Sequence, residues 1–362
     1  MIKYKRIAVK IGSNVLTRPD GRLDVTRVSA IVDQITVLHK AGAEIILISS
    51  GAVASGRSEV KPHKKLDAVS ARQLFSAVGQ AKLINRYYEL FREQGIACGQ
   101  ILTTKENFGS RSLYLNQKNC ISVMLENKVI PIVNENDTTS ITELMFTDND
   151  ELSGLMATMM DVDALIILSN VDGIYNGNPS DPSSHVIRQI LPGQQDMDDF
   201  ISDQKSTLGR GGMHTKCAIA QKVAAEGIAV MIANGKKENI LLNLLQKPET
   251  TVCTLFVPSE KEISSVKKWI AHSEDFAKGV VYVNAGAAEA LLDESKASSL
   301  LPVGVSRIEG EFEEGDIVKI IAEEDERIIG VGRVQYDSDT ARQFIGKKGH
   351  KPFIHYDYMS LD

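Results

Sequence analysis

Cysteine and histidine are scarce in this sequence of 362 residues, and neither is grouped as a metal site would require. The four cysteines, Cys98, Cys120, Cys217 and Cys253, are scattered and form no C-x-x-C pair. This pattern disfavours a structural zinc and is typical of free thiols in a reducing compartment. The seven histidines show no metal-ligand spacing either. We therefore expect a cytoplasmic protein.

Long apolar runs and an excess of positive charge are also missing. No apolar run is long enough to cross a bilayer. The first residues, MIKYKRIAVKIGS, lead directly into a predicted strand, so we expect no signal peptide. The formal net charge is −6, which is unfavourable for binding nucleic acid because phosphate contacts need Lys and Arg. We expect neither a membrane nor RNA as a partner.

Three common motifs of nucleotide and ester chemistry are absent. The sequence has no G-x-x-x-x-G-K-[ST], which excludes a P-loop protein. No G-x-G-x-x-G follows a predicted strand, which argues against a dinucleotide-binding fold. No G-x-S-x-G occurs, which excludes the nucleophile elbow of an esterase.

The order of predicted elements is strand, helix, strand, helix, repeated through most of the chain. The strands are apolar throughout, so they are buried on both faces. This predicts an α/β fold with an open, mostly parallel sheet and helices on both faces. Hydrophobic residues make up 43% of the chain, enough for a packed core. The predicted strands are 6–11, 44–48, 96–102, 129–133, 164–168 and 229–232.

The length of the chain and a change in composition indicate a second domain. Residues 258–276 are rich in Glu, Lys and Ser, and we interpret them as a linker after a first domain of residues 1–257. Residues 277–362 show short strands and glycine-bearing turns, which predict a small β-rich domain. This segment has 10 Lys and Arg against 16 Asp and Glu, so it carries the whole net charge.

The stretch from Val129 to Asp161 places two polar clusters where a ligand would bind. Asn134 to Asp137 follow a buried strand, and Asp148 to Asp150 open a helix. In open α/β sheets, small ligands bind at the carboxyl ends of the strands. One N-cap explains one polar residue but not two clusters. The helix start could hold an anion, and the carboxylates could hold an amine or a metal.

Two lysines adjoin glycine-bearing corners, as phosphate binding would require. Lys10 ends the first strand before Gly12, and Lys216 follows the glycines of GRGGMHTK by one helical turn. A third corner is Ser49-Ser50-Gly51-Ala52. Taken alone, either lysine could simply reach solvent and the glycines could form a flexible loop. Together they favour phosphoryl transfer, which needs positive charge where phosphate oxygens gather negative charge.

Six short motifs mark these strand ends and helix starts. They are KIGSNVLT from Lys10, ISSGAVASG from Ile48, SARQLFSAVGQAKL from Ser70, VNEND from Val133, DNDELS from Asp148 and GRGGMHTK from Gly209. In combination they resemble the γ-glutamyl kinases (glutamate 5-kinases) of the amino acid kinase superfamily, and the tail resembles a PUA domain. The resemblance spans nearly the whole chain. Single motifs are shared more widely, but the combination is highly specific.

The resemblance implies a reaction and its participants. ATP, with Mg²⁺, would phosphorylate the side-chain carboxylate of L-glutamate to L-glutamyl 5-phosphate, the first step of proline biosynthesis. L-Proline is implied as a feedback inhibitor, and we expect a homo-oligomer. The resemblance implies Lys10, Lys216 and Asp150 as catalytic residues and Ser50, Gly51, Asn134, Asp137 and Asn149 as substrate-binding residues. It implies nucleotide binding by Lys10, Gly12, Ser169, Asn170, Arg210, Gly211, Gly212, Met213, His214, Thr215 and Lys216.

This chain departs from the family's usual pattern at the nucleotide site. The family usually has Thr-Asp where this chain has Ser169-Asn170, and Thr where it has Arg210. Ser169 keeps the hydroxyl, whereas Asn170 lacks a carboxylate. Arg210 would either add a phosphate contact or point outward.

Two other functions are compatible with parts of the sequence. An acetylglutamate, aspartate or uridylate kinase would keep the lysines, but not the SARQLFSAVGQ and VNEND combination or the tail. An RNA-binding regulator could use a PUA-like tail, although the charge of −6 on that domain argues against it. Assays with glutamate, with and without RNA competitor, would separate these classes.

Overall fold

The chain forms two compact units. The computed structural model describes residues 3–139, 146, 148–179, 181–194, 212–260, 264–293 and 296–361. The first unit comprises Met1–Asn107 with Ser112–Glu262, and the second comprises Phe108–Arg111 with Ile263–Asp362. In the described ranges, no helix is both long and apolar enough to span a bilayer.

An eight-stranded sheet forms the centre of the first unit. The strand order is β3-β4-β2-β1-β5-β7-β8-β6, and all neighbouring pairs are parallel except β7 and β8. The predicted open, mostly parallel sheet is therefore confirmed. The strands are β1 (Arg6–Ile11), β2 (Glu44–Ser49), β3 (Cys98–Thr103), β4 (Ile130–Glu135), β5 (Ala164–Ser169), β6 (Gln189–Ile190), β7 (Ala229–Asn234) and β8 (Thr254–Phe256).

Helices cover both faces of the sheet, so its central strands are buried. Every residue of β4 and β5 is buried, which is the pattern of a strand between two helical layers. The helices described within residues 1–262 are α1 (Ser13–Leu16), α2 (Val25–Lys40), α3 (Ala52–Arg57), α4 (Ala68–Glu93), α5 (Glu106–Gly109), α6 (Arg111–Glu126), α7 (Asn149–Met160), α8 (Met213–Ala225) and α9 (Ile240–Gln246).

Local signals set the ends of these helices. The Asp24 side chain accepts a hydrogen bond from the Arg27 amide at the start of α2. Just past the end of α2, Gly42 adopts a φ of 95°, which a residue with a side chain rarely tolerates. The 26 residues of α4 run without a break.

Two glycines let α4 pack directly on α3. A Cβ at Gly79 would lie 1.8 Å from the Ala52 carbonyl oxygen, and a Cβ at Gly56 would lie 1.8 Å from the Phe75 carbonyl oxygen. No side chain fits such gaps, so the two backbones are in contact. This packing holds the first turns of α4 beside the loop that follows β2.

The second unit contains a separate five-stranded sheet in the order β10-β9-β11-β12-β13. Strands β9 and β11 are parallel, and the other pairs are antiparallel. The predicted β-rich tail domain is thus confirmed. Its elements are α10 (Ser265–Ala271), β9 (Gly279–Val283), α11 (Ala285–Leu292), β10 (Val305–Gly310), β11 (Ile317–Ala322), β12 (Ile328–Val334), α12 (Ser338–Phe344) and β13 (Ile354–Leu361).

The segment that we interpreted as a linker contains the helix α10. Its Trp269 is buried, and the indole N–H donates to the Phe108 carbonyl oxygen at 2.8 Å. The Arg111 guanidinium lies 5.0 Å from the centre of the Trp269 ring. Phe108 and Arg111 belong to the second unit although they lie far earlier in the chain. A cut after residue 258 therefore removes most of the unit in which Phe108 is buried.

We expect a fragment of residues 1–258 to fold and to retain kinase activity, but to melt below the full chain. Losing the burial of Phe108, which is 2% exposed, costs about 2 kcal/mol, or roughly 4–8 °C in Tm. Calorimetry together with a phosphate-transfer assay measures both properties. A well-folded but inactive fragment would mean that the tail reaches into the site.

The matched control is Phe108→Ala in both backgrounds. In the full chain this variant should lower Tm, since it removes a buried ring. In the fragment it should leave Tm nearly unchanged, because the ring is already exposed there. An equal loss in both backgrounds would show that Phe108 does not depend on the second unit.

Candidate active site

The carboxyl ends of β4, β2, β1 and β5 meet along one edge of the sheet and line a cavity of about 750 Å³. Parallel strands place their carboxyl ends together, so residues far apart in the chain become neighbours here. The cavity brings together most of the predicted site residues. Those that line it are Lys10, Gly12, Ser50, Gly51, Asn134, Asp137, Asn149, Asp150, Ser169, Asn170 and Lys216.

Asp150 binds both predicted lysines, one through each carboxylate oxygen. The Lys216 Nζ lies 3.0 Å from Asp150 Oδ2, and the Lys10 Nζ forms a short ion pair with Oδ1. Asp150 is 1% exposed and Lys10 is 4% exposed. Two ammonium groups around one carboxylate leave a net charge of +1 on these three side chains. Such a group suits an incoming anion.

The ionisation of Asp150 follows from these two partners. Burial by itself would raise the pKa of Asp150, but the Lys10 and Lys216 ammonium groups outweigh it and lower the pKa below its usual range. The carboxylate therefore stays charged at neutral pH and keeps both lysines in place.

Asp148 forms the N-cap of α7 and keeps one carboxylate oxygen for the cavity. Its Oδ1 accepts from the amides of Asp150 and Glu151 at 2.8 and 3.0 Å. Its Oδ2 is buried and has no hydrogen-bond partner in the described residues. Burial, together with the nearby Asp150 charge, raises the pKa of Asp148 to about 6. The sequence prediction of a capped helix is confirmed, and the free oxygen indicates a further contact in the site.

Asn149 links three loops through its side-chain amide. Its Nδ2 donates to the Ser50 hydroxyl oxygen at 2.9 Å and to Asn134 Oδ1 at 3.0 Å. Asn134 in turn donates to Gln80 Oε1 of α4 at 2.9 Å. Beside Ser50, Gly51 has a φ of 109° and opens α3, which leaves the first amides of this helix facing the cavity.

Two carboxylates and one arginine form a second charged group in the cavity lining. The Arg72 Nη2 lies 2.6 Å from Glu135 Oε2 and also forms an ion pair with Asp137 Oδ1. The Phe146 amide donates to the other Glu135 oxygen at 3.1 Å. Burial raises the pKa of Glu135 to about 7 and also raises the pKa of Asp137, in both cases against the Arg72 charge. These three side chains together carry a charge of −1 when both acids are ionised.

The predicted nucleotide residues fall into two groups. Gly12 donates its amide to the Leu168 carbonyl oxygen at 3.0 Å, and a Cβ there would lie 3.2 Å from the same oxygen. Ser169 and Asn170 lie at the end of β5, beside this contact, and line the cavity. Gly212 is the N-cap of α8, and Met213, His214 and Thr215 form the first turn before Lys216. Arg210 and Gly211 lie outside the described residues.

A magnesium ion would not be held by the protein alone. Among the residues that the structure describes, no three His, Cys, Asp or Glu side chains lie close enough to bind a metal. The free Oδ2 of Asp148 is a hard oxygen ligand in the cavity, and nucleotide phosphates supply others. The residues present therefore fit a magnesium ion that arrives with a nucleotide.

Sequence reasoning missed several residues of the cavity. Glu135 lies within the VNEND motif but was not assigned a role, and Asp148 was considered only as part of a cluster. Arg72 lies on the first turns of a long helix, where an arginine normally faces solvent. The cavity wall beyond Arg72 also carries Arg22, Arg57 and Lys61. Arg72 lies within the SARQLFSAVGQAKL motif but was not assigned a role, and no local pattern distinguishes the other three cations from ordinary surface residues.

Comparison with known proteins identifies the family of each domain. The amino acid kinase family model matches residues 5–234, and the PUA domain model matches residues 279–353. A glutamate 5-kinase of Bacteroides thetaiotaomicron is 66% identical over 99% of each chain. A glutamate 5-kinase of Chlorobaculum tepidum is 46% identical over 99% of this chain and 98% of that one.

A solved structure gives the same fold. The carbamate kinase of Giardia lamblia bound to AMP-PNP matches with a TM-score of 0.51 and 18% identity, over 72% of this chain and all of that one. At that identity the likeness concerns the fold only. The chain belongs to the amino acid kinase family, and within it to the glutamate 5-kinases. The resemblance noted in the sequence is confirmed.

Proposed function

We propose that this protein transfers the γ-phosphoryl group of ATP to the side-chain carboxylate of L-glutamate, giving L-glutamyl 5-phosphate and ADP. The observation that carries the proposal is the charge distribution of the cavity. Lys10 and Lys216 lie on Asp150 in one charged group of the cavity, and Asp137 lies in a second group whose two carboxylates share one arginine. The side-chain carboxylate of glutamate suits the two lysines, and its α-ammonium suits Asp137.

The reaction needs no covalent intermediate with the protein. An oxygen of the glutamate side-chain carboxylate attacks the γ-phosphorus of ATP, and the bond from that phosphorus to the bridging β–γ oxygen breaks. Positioning and charge stabilisation supply nearly all of the catalysis in such transfers. Lys10 and Lys216 lie where they can neutralise charge on the phosphoryl oxygens. Asp150 is the residue that keeps them there.

The nucleotide is held by residues at the ends of β1 and β5 and at the start of α8. Gly12, Ser169 and Asn170 line the cavity beside the lysines, and the start of α8, whose N-cap Gly212 makes no side-chain cap hydrogen bond, suits phosphate oxygens. We assign the same nucleotide role to Arg210, Gly211, Gly212, Met213, His214 and Thr215. Asp148 would be the candidate protein ligand of a Mg²⁺ ion that arrives with the nucleotide, and the ion would supply further positive charge.

The amino-acid end of the substrate lies against polar groups on three loops. Asp137 accepts the α-ammonium, and Ser50, Gly51, Asn134 and Asn149 orient the rest of the molecule. The activity makes the protein the first enzyme of proline biosynthesis. We further propose that it works in the cytoplasm as a homo-oligomer and that proline, which shares the α-amino and α-carboxylate groups, inhibits it by competing for this end.

A substrate panel tests the proposal. Phosphoryl transfer is measured as the hydroxamate with glutamate, aspartate and N-acetylglutamate, with and without RNA competitor. We expect turnover with glutamate alone and no effect of RNA. Turnover with N-acetylglutamate or aspartate in preference to glutamate would assign the chain another substrate. Loss of activity with RNA would favour a regulator that binds nucleic acid.

We expect Asp137→Ala to raise KM for glutamate and the inhibition constant for proline together, with little change in kcat. The reason is that both ligands present an ammonium to the same carboxylate, and removing uniform binding alters KM alone. Initial rates over a grid of glutamate and proline concentrations measure both constants. Proline inhibition that persists at saturating glutamate would place proline at a separate site.

A further inference from the structure

The Arg72–Glu135–Asp137 group has more negative charge than its arginine can balance. Glu135 is 4% exposed and Asp137 is 8% exposed, so both carboxylates lie away from bulk water. One guanidinium contacts both of them. Buried charges are stable only when they are paired. A single further positive charge in the cavity would therefore bring these three side chains to neutrality.

The three side chains are held by rigid elements. Arg72 lies on α4, whose backbone contacts α3 at Gly56 and Gly79. The next residue, Gln73, donates to the Thr138 carbonyl oxygen at 3.1 Å, which fastens α4 to the loop carrying Asp137. The backbone that carries Arg72 and the loop that carries Asp137 are thus joined, and the guanidinium lies beside both carboxylates.

Glu135 decides how much of the arginine's charge reaches Asp137. When Glu135 is ionised, the Arg72 guanidinium is shared between two carboxylates, and the negative charge of Asp137 is only partly neutralised. Asp137 can then pair with the ammonium of a substrate. With Glu135 neutral, Asp137 and Arg72 balance each other, and an ammonium has to compete with the arginine. An amino acid whose nitrogen is acylated has no ammonium charge, and it leaves a buried carboxylate unpaired in the first case but not in the second.

We propose that Arg72 and Glu135 are positioning residues that set the specificity of this site for a free α-ammonium. The proposal rests on the function proposed above and names what distinguishes glutamate from its N-acyl derivatives. Glu135 acts through Arg72, by drawing the guanidinium away from Asp137. Specificity then arises from charge balance in a buried group, where an unpaired charge is costly.

The test compares wild type, Glu135→Gln and the double variant Arg72→Gln with Glu135→Gln. Glutamate and N-acetylglutamate are assayed as substrates, and glutamate binding is measured directly by calorimetry. Assays at a pH of about 8 keep both acids ionised, since that is above the range to which burial raises the Glu135 pKa. The Glu135→Gln change is nearly isosteric, so it alters charge far more than shape.

We expect Glu135→Gln to raise KM for glutamate by roughly tenfold or more, with kcat within about threefold. KM for N-acetylglutamate should not rise, so the preference for glutamate falls by the same factor. The double variant again has a net charge of −1, on Asp137 alone, and should recover most of the lost glutamate affinity. Recovery on removing a second residue is an outcome that a merely structural role does not produce.

The matched control is Glu44→Gln. Glu44 forms the same kind of pair, with Arg6 Nε at 2.7 Å, but at the start of β2, the end of the strand opposite the cavity. We expect no change in either KM. An unchanged KM in Glu135→Gln, or a double variant weaker than the single one, would overturn the proposal. A wild type that does not phosphorylate glutamate at all would instead overturn the proposed function.

Discussion

Alanine at Lys10 or at Lys216 is expected to lower kcat by roughly 10²–10³-fold while changing KM for glutamate much less. Both ammonium groups lie on the same buried carboxylate, in the part of the cavity to which we assign the transferred phosphoryl group. They stabilise charge that is greatest in the transition state, so their loss is felt in turnover. Steady-state rates with saturating ATP, followed as ADP release, measure the effect.

A third lysine is the control for general charge effects. Lys105 also follows the end of a strand, β3, but pairs with Glu151 at 3.2 Å and does not line the cavity. Lys105→Ala should leave kcat within about twofold. Near-normal turnover in Lys10→Ala or Lys216→Ala would show that the residue concerned is only a structural charge.

Asp150→Asn should produce the second large effect, again on kcat. The substitution keeps the shape of the side chain but removes the charge that holds two ammonium groups together. Each lysine then repels the other and loses its fixed position, so we expect kcat to fall by roughly 10–100-fold with a small change in KM. Circular dichroism and melting checked beside the rates separate this loss from misfolding.

The neighbouring residue offers a matched control. Glu151 lies one position along α7, outside the cavity lining, and Glu151→Gln should leave kcat nearly unchanged. If Asp150→Asn raised only KM, the carboxylate would be binding substrate, and its role in orienting the lysines would be wrong.

These two expectations depend on contacts that join distant parts of the chain. Lys10 and Asp150 are 140 residues apart, and Ser50 and Asn149 are 99 apart. The sequence placed each of them correctly at a strand end or a helix start. It did so because backbone periodicity and capping are local properties. The assignment of Lys10, Lys216 and Asp150 to one group came from resemblance, and the structure brings the three into contact.

The long-range partners of other residues could not be predicted from the local sequence. Arg72 lies in a helix of 26 residues whose periodicity says only which side faces the core, and nothing in it indicates a partner 63 residues later. The buried Trp269 lies in a segment of polar composition, which led us to interpret it as a linker. Its hydrogen bond to Phe108 reaches back 161 residues.

The sequence by itself determined the α/β architecture, the edge of the sheet that carries the site and the separate β-rich tail. It could do so because strand, helix and turn preferences are encoded within a few residues. Only the tertiary structure decided how charge is shared in the cavity. The two lysines lower the pKa of Asp150 and keep it ionised. Burial raises the pKa of both Glu135 and Asp137, which share one arginine. Burial and distance set that difference, and both arise only when α4, α7 and α8 close around the ends of the strands.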